Sequence, residues 1–132
     1  MIYTTYLSNL KSLPNDDKTV KYLITRWKPR NTIDVKKYNL TWAPHLAPTE
    51  LTLAKYKDGS IDWSEYRQRY IDESFDNRLF VDGIEELITL NADGYTIFLI
   101  CYEKDDMICH RAVLREILEF NNQKCEEWKG NV

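Results

Sequence analysis

The sequence predicts a single open α/β domain of three layers with a mostly parallel sheet. Three observations carry this. A chain of 132 residues has the size of one hydrophobic core. The apolar run at residues 95–102 shows no polar alternation, which marks a central strand covered on both faces. Strand-like and helix-like segments follow in the order strand, strand, helices, strand, helix, the order of a sheet with helices packed against it and right-handed crossovers.

The elements read in turn as follows. Residues 1–7, rich in Ile, Tyr and Thr, form a first strand, and the turn residues Pro14, Asn15, Asp16 and Asp17 separate it from a second at 19–25. Pro29 restricts Lys28 and has no N–H for a ladder, so the second strand is ended by Arg26-Trp27-Lys28-Pro29. Residues 30–48, with Pro44 and Pro48, read as irregular, and a helix starts near Thr49. Asp58-Gly59 is a turn, and Asp62 with Glu65 forms a capping box. Trp63, Tyr66, Tyr70 and Ser74 then fall on one helical face, which we read as core. Ile84, Leu87 and Ile88 mark a further helix, closed by residues 91–94. After the apolar strand, a last helix runs from about Cys109 to Phe120 and buries Val113, Leu114, Ile117 and Leu118. Residues 121–132 read as a polar tail without an assigned element. The whole of 1–132 is one domain.

Composition narrows the class of function. A hydrophobic fraction of 43% with 30% charged residues excludes a disordered chain. No apolar run approaches the roughly 20 residues of a membrane helix, and the first residues lack the basic and apolar regions of a secretory signal. The expected location is the cytoplasm, without membrane association. Three cysteines, Cys101, Cys109 and Cys125, fit a reducing compartment and do not make a disulfide framework. A net charge of −3 argues against general nucleic-acid binding. The charge is uneven: residues 1–60 carry ten Lys/Arg and five Asp/Glu, whereas residues 61–132 carry eight and sixteen. The lysines of the basic half read as a solvated surface; Arg26, at a strand end, reads as a ligand contact.

The chemically distinctive stretch runs from Cys101 to Arg111. Ligands of open α/β sheets sit beyond the carboxyl ends of strands. There the sequence gathers Cys101, Glu103, Cys109, His110 and Arg111 around one strand-to-helix turn. A helix N-terminus attracts anions, and Arg111 adds a planar fork for phosphate or carboxylate. A cation is misplaced at that terminus unless Glu103, Asp106 or a bound anion sits beside it. The dipole favours the Cys109 thiolate, and His110 or Glu103 can serve as acid or base. Each residue also has a structural reading. Cys101 can be core, Glu103 can pair with Arg111, and His110 can be a satisfied buried group. Cys101, ending an apolar strand, is expected to be the protected thiol and Cys109 the reactive one. Arg26 and Arg111 are expected to face one cavity, with Trp27, Trp42 and His45 as a stacking wall.

Several familiar sites do not fit. Six positions after Cys101 stands Met107, not the Arg of a cysteine phosphatase loop. Only Gly59, Gly83, Gly94 and Gly130 are glycines, so no glycine-rich phosphate loop exists. The adjacent Cys109 and His110 suit zinc poorly. The sequence therefore predicts no metal and no cofactor.

Cys101-Tyr102-Glu103 followed by Cys109-His110-Arg111 resembles the family catalogued as domain of unknown function 488. The likeness extends to Arg26-Trp27-Lys28-Pro29, to residues 42–49, to Tyr56-Lys57-Asp58-Gly59 and to residues 63–66, and covers about 2–120. It implies a Rossmann-like fold and carries Arg26, Cys101, Glu103, Cys109, His110 and Arg111 over as motif residues. It implies no activity.

Two functions follow. One is binding of, or action on, a small anionic ligand, a nucleotide or nucleotide-like metabolite, at the turn from Cys101 to Arg111. Its site residues are Arg26, Arg111, Cys101, Trp27 and His45 for binding, and Cys109, His110 and Glu103 for chemistry. The other is a non-catalytic protein-interaction domain in which the Cys/Glu/His/Arg cluster is structural. The residues leave open whether the protein is an enzyme.

Overall fold

A computed structural model describes residues 1–27, 32–102 and 110–130, with residues 32–34 described by their backbone alone. Its centre is a five-stranded sheet in the order β3-β2-β4-β1-β5, with every pairing parallel. The strands are β1 (Ile2–Tyr6), β2 (Thr19–Leu23), β3 (Thr41–Trp42), β4 (Thr96–Cys101) and β5 (Cys125–Glu127). The helices are α1 (Thr32–Lys37), α2 (Glu50–Lys57), α3 (Trp63–Asp76), α4 (Arg78–Ala92) and α5 (His110–Phe120). Short 3-10 helices at Leu7–Ser12 and Pro44–Leu46 complete the elements.

The unbroken apolar character of β4 has the consequence its sequence predicts. Ile97, Leu99 and Cys101 point into the larger core, with α3, α4 and α5. Phe98 and Ile100 point into the opposite core, with Leu10, Leu13, Leu23, Leu40 and the ring of Trp128. The register aligns the carboxyl ends of three strands: Tyr6 lies opposite Cys101, and Leu23 lies opposite Ile100.

α2, α3 and α4 begin where a side chain satisfies a backbone N–H. The Thr49 side chain caps α2 by accepting from the Thr52 N–H, and Asp62 caps α3 by accepting from the Glu65 N–H. Glu65 itself accepts from Arg69, four residues on. The predicted aromatic face of α3 is buried, with Tyr66 and Tyr70 almost without exposed surface. Gly59 closes the turn after α2 at φ +84°, where a side chain would be strained. No helix among the described residues is long and apolar enough to cross a membrane.

Two regions hold more structure than their sequence predicts. Within the stretch read as irregular lie α1, β3 and the 3-10 helix at Pro44–Leu46. β3 is two residues long, too short to show any alternation. Past Phe120, residues Cys125–Glu127 form β5 along β1, with Ile2 opposite Cys125 and Thr4 opposite Glu127. This strand carries two glutamates in three residues, so hydrophobic periodicity does not reveal it.

Gly83 of α4 lies where a Cβ would come within 2.7 Å of His45 Cδ2 and 2.9 Å of Leu46 Cδ2. Gly83→Ala should therefore destabilise the fold although alanine is the better helix former. Overpacking of roughly 1–3 kcal/mol outweighs a propensity gain of about 1 kcal/mol. Urea unfolding should show a lower midpoint; an unchanged or higher one would mean that the Pro44–Leu46 turn yields freely.

Candidate functional site

The carboxyl edge of the sheet gathers polar side chains from β1, β4, β5, α5 and the chain beyond β2. The amphipathic spacing of α5 explains how. Val113, Leu114, Ile117 and Leu118 are buried, and the same stripe extends back to His110 and Arg111 in the first turn. Both are consequently drawn into the protein: His110 is 7% exposed and Arg111 has no exposed surface.

A guanidinium buried this deeply needs compensation. Arg111 Nε donates to both carboxylate oxygens of Glu127 at 3.1 Å, and Nη2 lies 3.0 Å from Glu127 Oε2. Nη1 donates to Cys101 Sγ at 3.0 Å. The guanidinium also lies 5.5 Å from the centre of the Tyr6 ring. Glu127 is shared further. Its Oε1 accepts from Thr4 Oγ1 at 2.7 Å and from Arg115 Nη1 at 3.2 Å, and Arg115 Nη1 donates to Thr4 Oγ1 at 2.7 Å. Glu127, Arg115, Thr4 and Tyr6 are participants that sequence reasoning missed. The available signal was the i,i+4 pair of arginines on α5, which calls for a carboxylate facing both. The partners considered from sequence, Glu103 and Asp106, lie outside the described residues, as does Cys109.

His110 reaches the other way. Its Nε2 is 2.6 Å from the carbonyl oxygen of Ile24, the residue that extends the β2 ladder by donating to Ile100. A carbonyl only accepts, so Nε2 carries a proton. Two residues on, Arg26 donates from Nε to the Pro48 carbonyl at 2.8 Å and from Nη2 to the Ala47 carbonyl at 3.1 Å. Nη1 of Arg26 has no hydrogen bond to a described residue. The neighbouring Trp27 is 45% exposed, with Lys57 Nζ 4.9 Å from its ring centre. Trp42 Nε1 donates to the Thr25 carbonyl, and the His45 ring packs against Gly83 of α4. Of the expected stacking wall, Trp27 has the exposed face. Among the described residues, no three His, Cys, Asp or Glu side chains gather as a metal set.

A family model described as the active DUF488-N3 subclade, DUF488-N3a, matches residues 5–122. The chain belongs to the DUF488-N3a family. No curated protein and no solved structure matches it.

The third cysteine of this DUF488-N3a domain, Cys125, is buried at the start of β5, and burial pushes its thiol up to about 12. On β2, burial and the Glu86 carboxylate push the Tyr22 hydroxyl up to about 12 as well. In both cases the folded state keeps a proton that the unfolded chain gives up near the usual 9.0 or 10.0. The folded state then binds more protons than the unfolded one, so stability falls as pH rises. The contribution is complete below about 9 and lost progressively towards about 12. Urea midpoints measured across this range should decline with pH, and Cys125→Ser should flatten the lower part of the decline. A decline of the same size in that variant would exclude the thiol as a cause.

The Arg111–Glu127 pair has a second testable consequence. Removing one partner of a buried pair costs roughly 3–5 kcal/mol, because the other is left uncompensated. Arg111→Met and Glu127→Ala should each cost about that much in urea unfolding, and the double variant should cost less than the sum of the two. Additive losses would mean that the two side chains contribute independently.

Proposed function

We propose that this DUF488-N3a protein binds and acts on a small anionic ligand, a nucleotide or nucleotide-like metabolite, at the carboxyl edge between β2 and β4. One observation carries the reading. The connection leaving β2 runs outward to β3, whereas the connection leaving β4 runs the opposite way to β5. In open α/β sheets such a divergence opens a cleft beyond the strand ends, and ligands bind there. His110 and Ile24 meet at this point.

All the candidates but His45, whose ring packs against Gly83, have a part. Arg26 Nη1 receives the anion, while its other two nitrogens hold the Ala47 and Pro48 carbonyls and fix the fork in place. Trp27 offers an exposed ring for a base. Arg111, held by Glu127, fixes the Cys101 sulfur as the floor of the site. His110, fixed by its Nε2 contact with the Ile24 carbonyl, is an acid–base candidate. Glu103 and Cys109, between β4 and α5 in the chain, complete the set for acid–base or nucleophilic chemistry.

A second reading is favoured by Arg111 itself. With all three nitrogens bonded to Glu127 and Cys101, the cluster serves as a brace for the fold. On that reading the protein is a non-catalytic interaction domain.

Thermal unfolding with nucleotides and phosphorylated metabolites separates the two. A ligand at one hundred times its Kd stabilises by about 2.7 kcal/mol, a rise of at least about 5 °C in Tm for a domain of this size. Arg26→Ala should reduce the ligand-induced rise and weaken binding by about 10- to 100-fold, as expected for one charged hydrogen bond. No rise with any of these ligands, together with a protein partner recovered in pull-down, would favour the interaction domain.

A further inference from the structure

A polar cavity of about 100 Å³ lies at the amino edge of the sheet, where β2 begins. Asn15, Asp16, Thr19, Lys21, Asn39 and Thr41 line it. Lys21 is the unusual member. Its position on β2 puts its side chain on the same face as Leu23, under the turn that follows α1, and the residue is 6% exposed. Lysines are almost never buried to this degree unless paired. Lys21 Nζ makes one long hydrogen bond, 3.4 Å to the Tyr38 carbonyl, and no ion pair with a described carboxylate. Burial accordingly lowers its pKa, and the charge of Asp16 offsets only part of that.

The rest of the lining matches an ammonium that lacks a counter-charge. The side chains of Asn15, Asn39 and Thr41 make no hydrogen bond to a described residue, so two amides and a hydroxyl remain to donate into the cavity. Asp16 opposes an anion, but its Oδ1 is taken by the Lys18 N–H and the Thr19 hydroxyl, both at 2.9 Å. The cavity also belongs to the basic half of the chain, whose excess of Lys and Arg raises the local concentration of anions.

We propose that this cavity is a binding site for a small oxyanion, held by the Lys21 ammonium together with the Asn15 and Asn39 amides and the Thr41 hydroxyl. The donors surround a space sized for one phosphate or carboxylate group and not for a nucleotide. The site is separate from the carboxyl edge and independent of the function proposed there.

The test is an NMR titration of the full chain with inorganic phosphate and, separately, with acetate, following the Lys21 side-chain 13Cε resonance. A saturable shift with phosphate alone assigns a tetrahedral oxyanion, and saturation with both assigns small oxyanions in general. Lys21→Met should weaken the binding by at least about tenfold, the loss of a charged hydrogen bond. Arg26→Ala should leave it intact. Asn39→Ala, which keeps the buried lysine, should weaken it more mildly and covers the case in which Lys21→Met fails to fold. A shift that grows linearly without saturating for both anions would overturn the proposal. So would binding that persists unchanged in the lysine and asparagine variants.

Discussion

The buried contact between Arg111 and Glu127 governs how the second half of the molecule is put together. An unpaired guanidinium with no exposed surface would cost several kcal/mol, so the carboxylate has to arrive. It arrives on β5, and in only one register, with Glu127 opposite Thr4 of β1. That register seats Cys125 beside Ile2 and carries the chain on to Trp128. There the Trp128 N–H reaches the Thr4 carbonyl, and the ring closes against Tyr3 and Phe98 on the far face of the sheet. One ion pair on the helix side thus fixes the strand whose continuation seals the other side.

The asymmetry of charge along the chain acquires a structural meaning in this light. All the described ion pairs join residues beyond position 60, among them Arg67 with Glu116 between α3 and α5. Several carboxylates of the acidic half pair with cations of that same half. Among the described residues, the cations of the first sixty positions are left to backbone carbonyls, aromatic rings and solvent. Arg26 holds two carbonyls, Lys57 and Lys18 lie over Trp27 and Tyr95, and Lys21 reaches only Tyr38. A surface of this kind keeps a positive field that anions can respond to.

Much of this was legible in the residues themselves. β1, β2, β4 and the helices from α3 to α5 are patterned, and their spacing predicts them, whereas α2 is marked by its Thr49 cap and leaves Leu51 exposed. The capping by Asp62 and the turn at Gly59 are local chemistry, which needs no tertiary information. The elements that were not legible are short or polar. β3 has two residues, and β5 is Cys-Glu-Glu, which pairs with a strand more than a hundred positions away and is held by two arginines of α5. The site was legible in part. Its place at the end of β4 follows from the sheet, and the burial of His110 and Arg111 was latent in the stripe of α5. The identity of Arg111's partner was not, because nothing near it in sequence points to Glu127.

The outermost strands are also the shortest, with two residues in β3 and three in β5. A fully parallel sheet of apolar strands is a hazard in solution if its rims are long, because open N–H and C=O groups template the addition of further chains. Here the sticky, two-sided strand β4 is kept in the middle, and each rim offers a neighbour only a few ladder positions, interrupted on one side by paired charge. The arrangement that makes β3 and β5 hard to see in the sequence is the one that protects the folded protein from fibre-like growth.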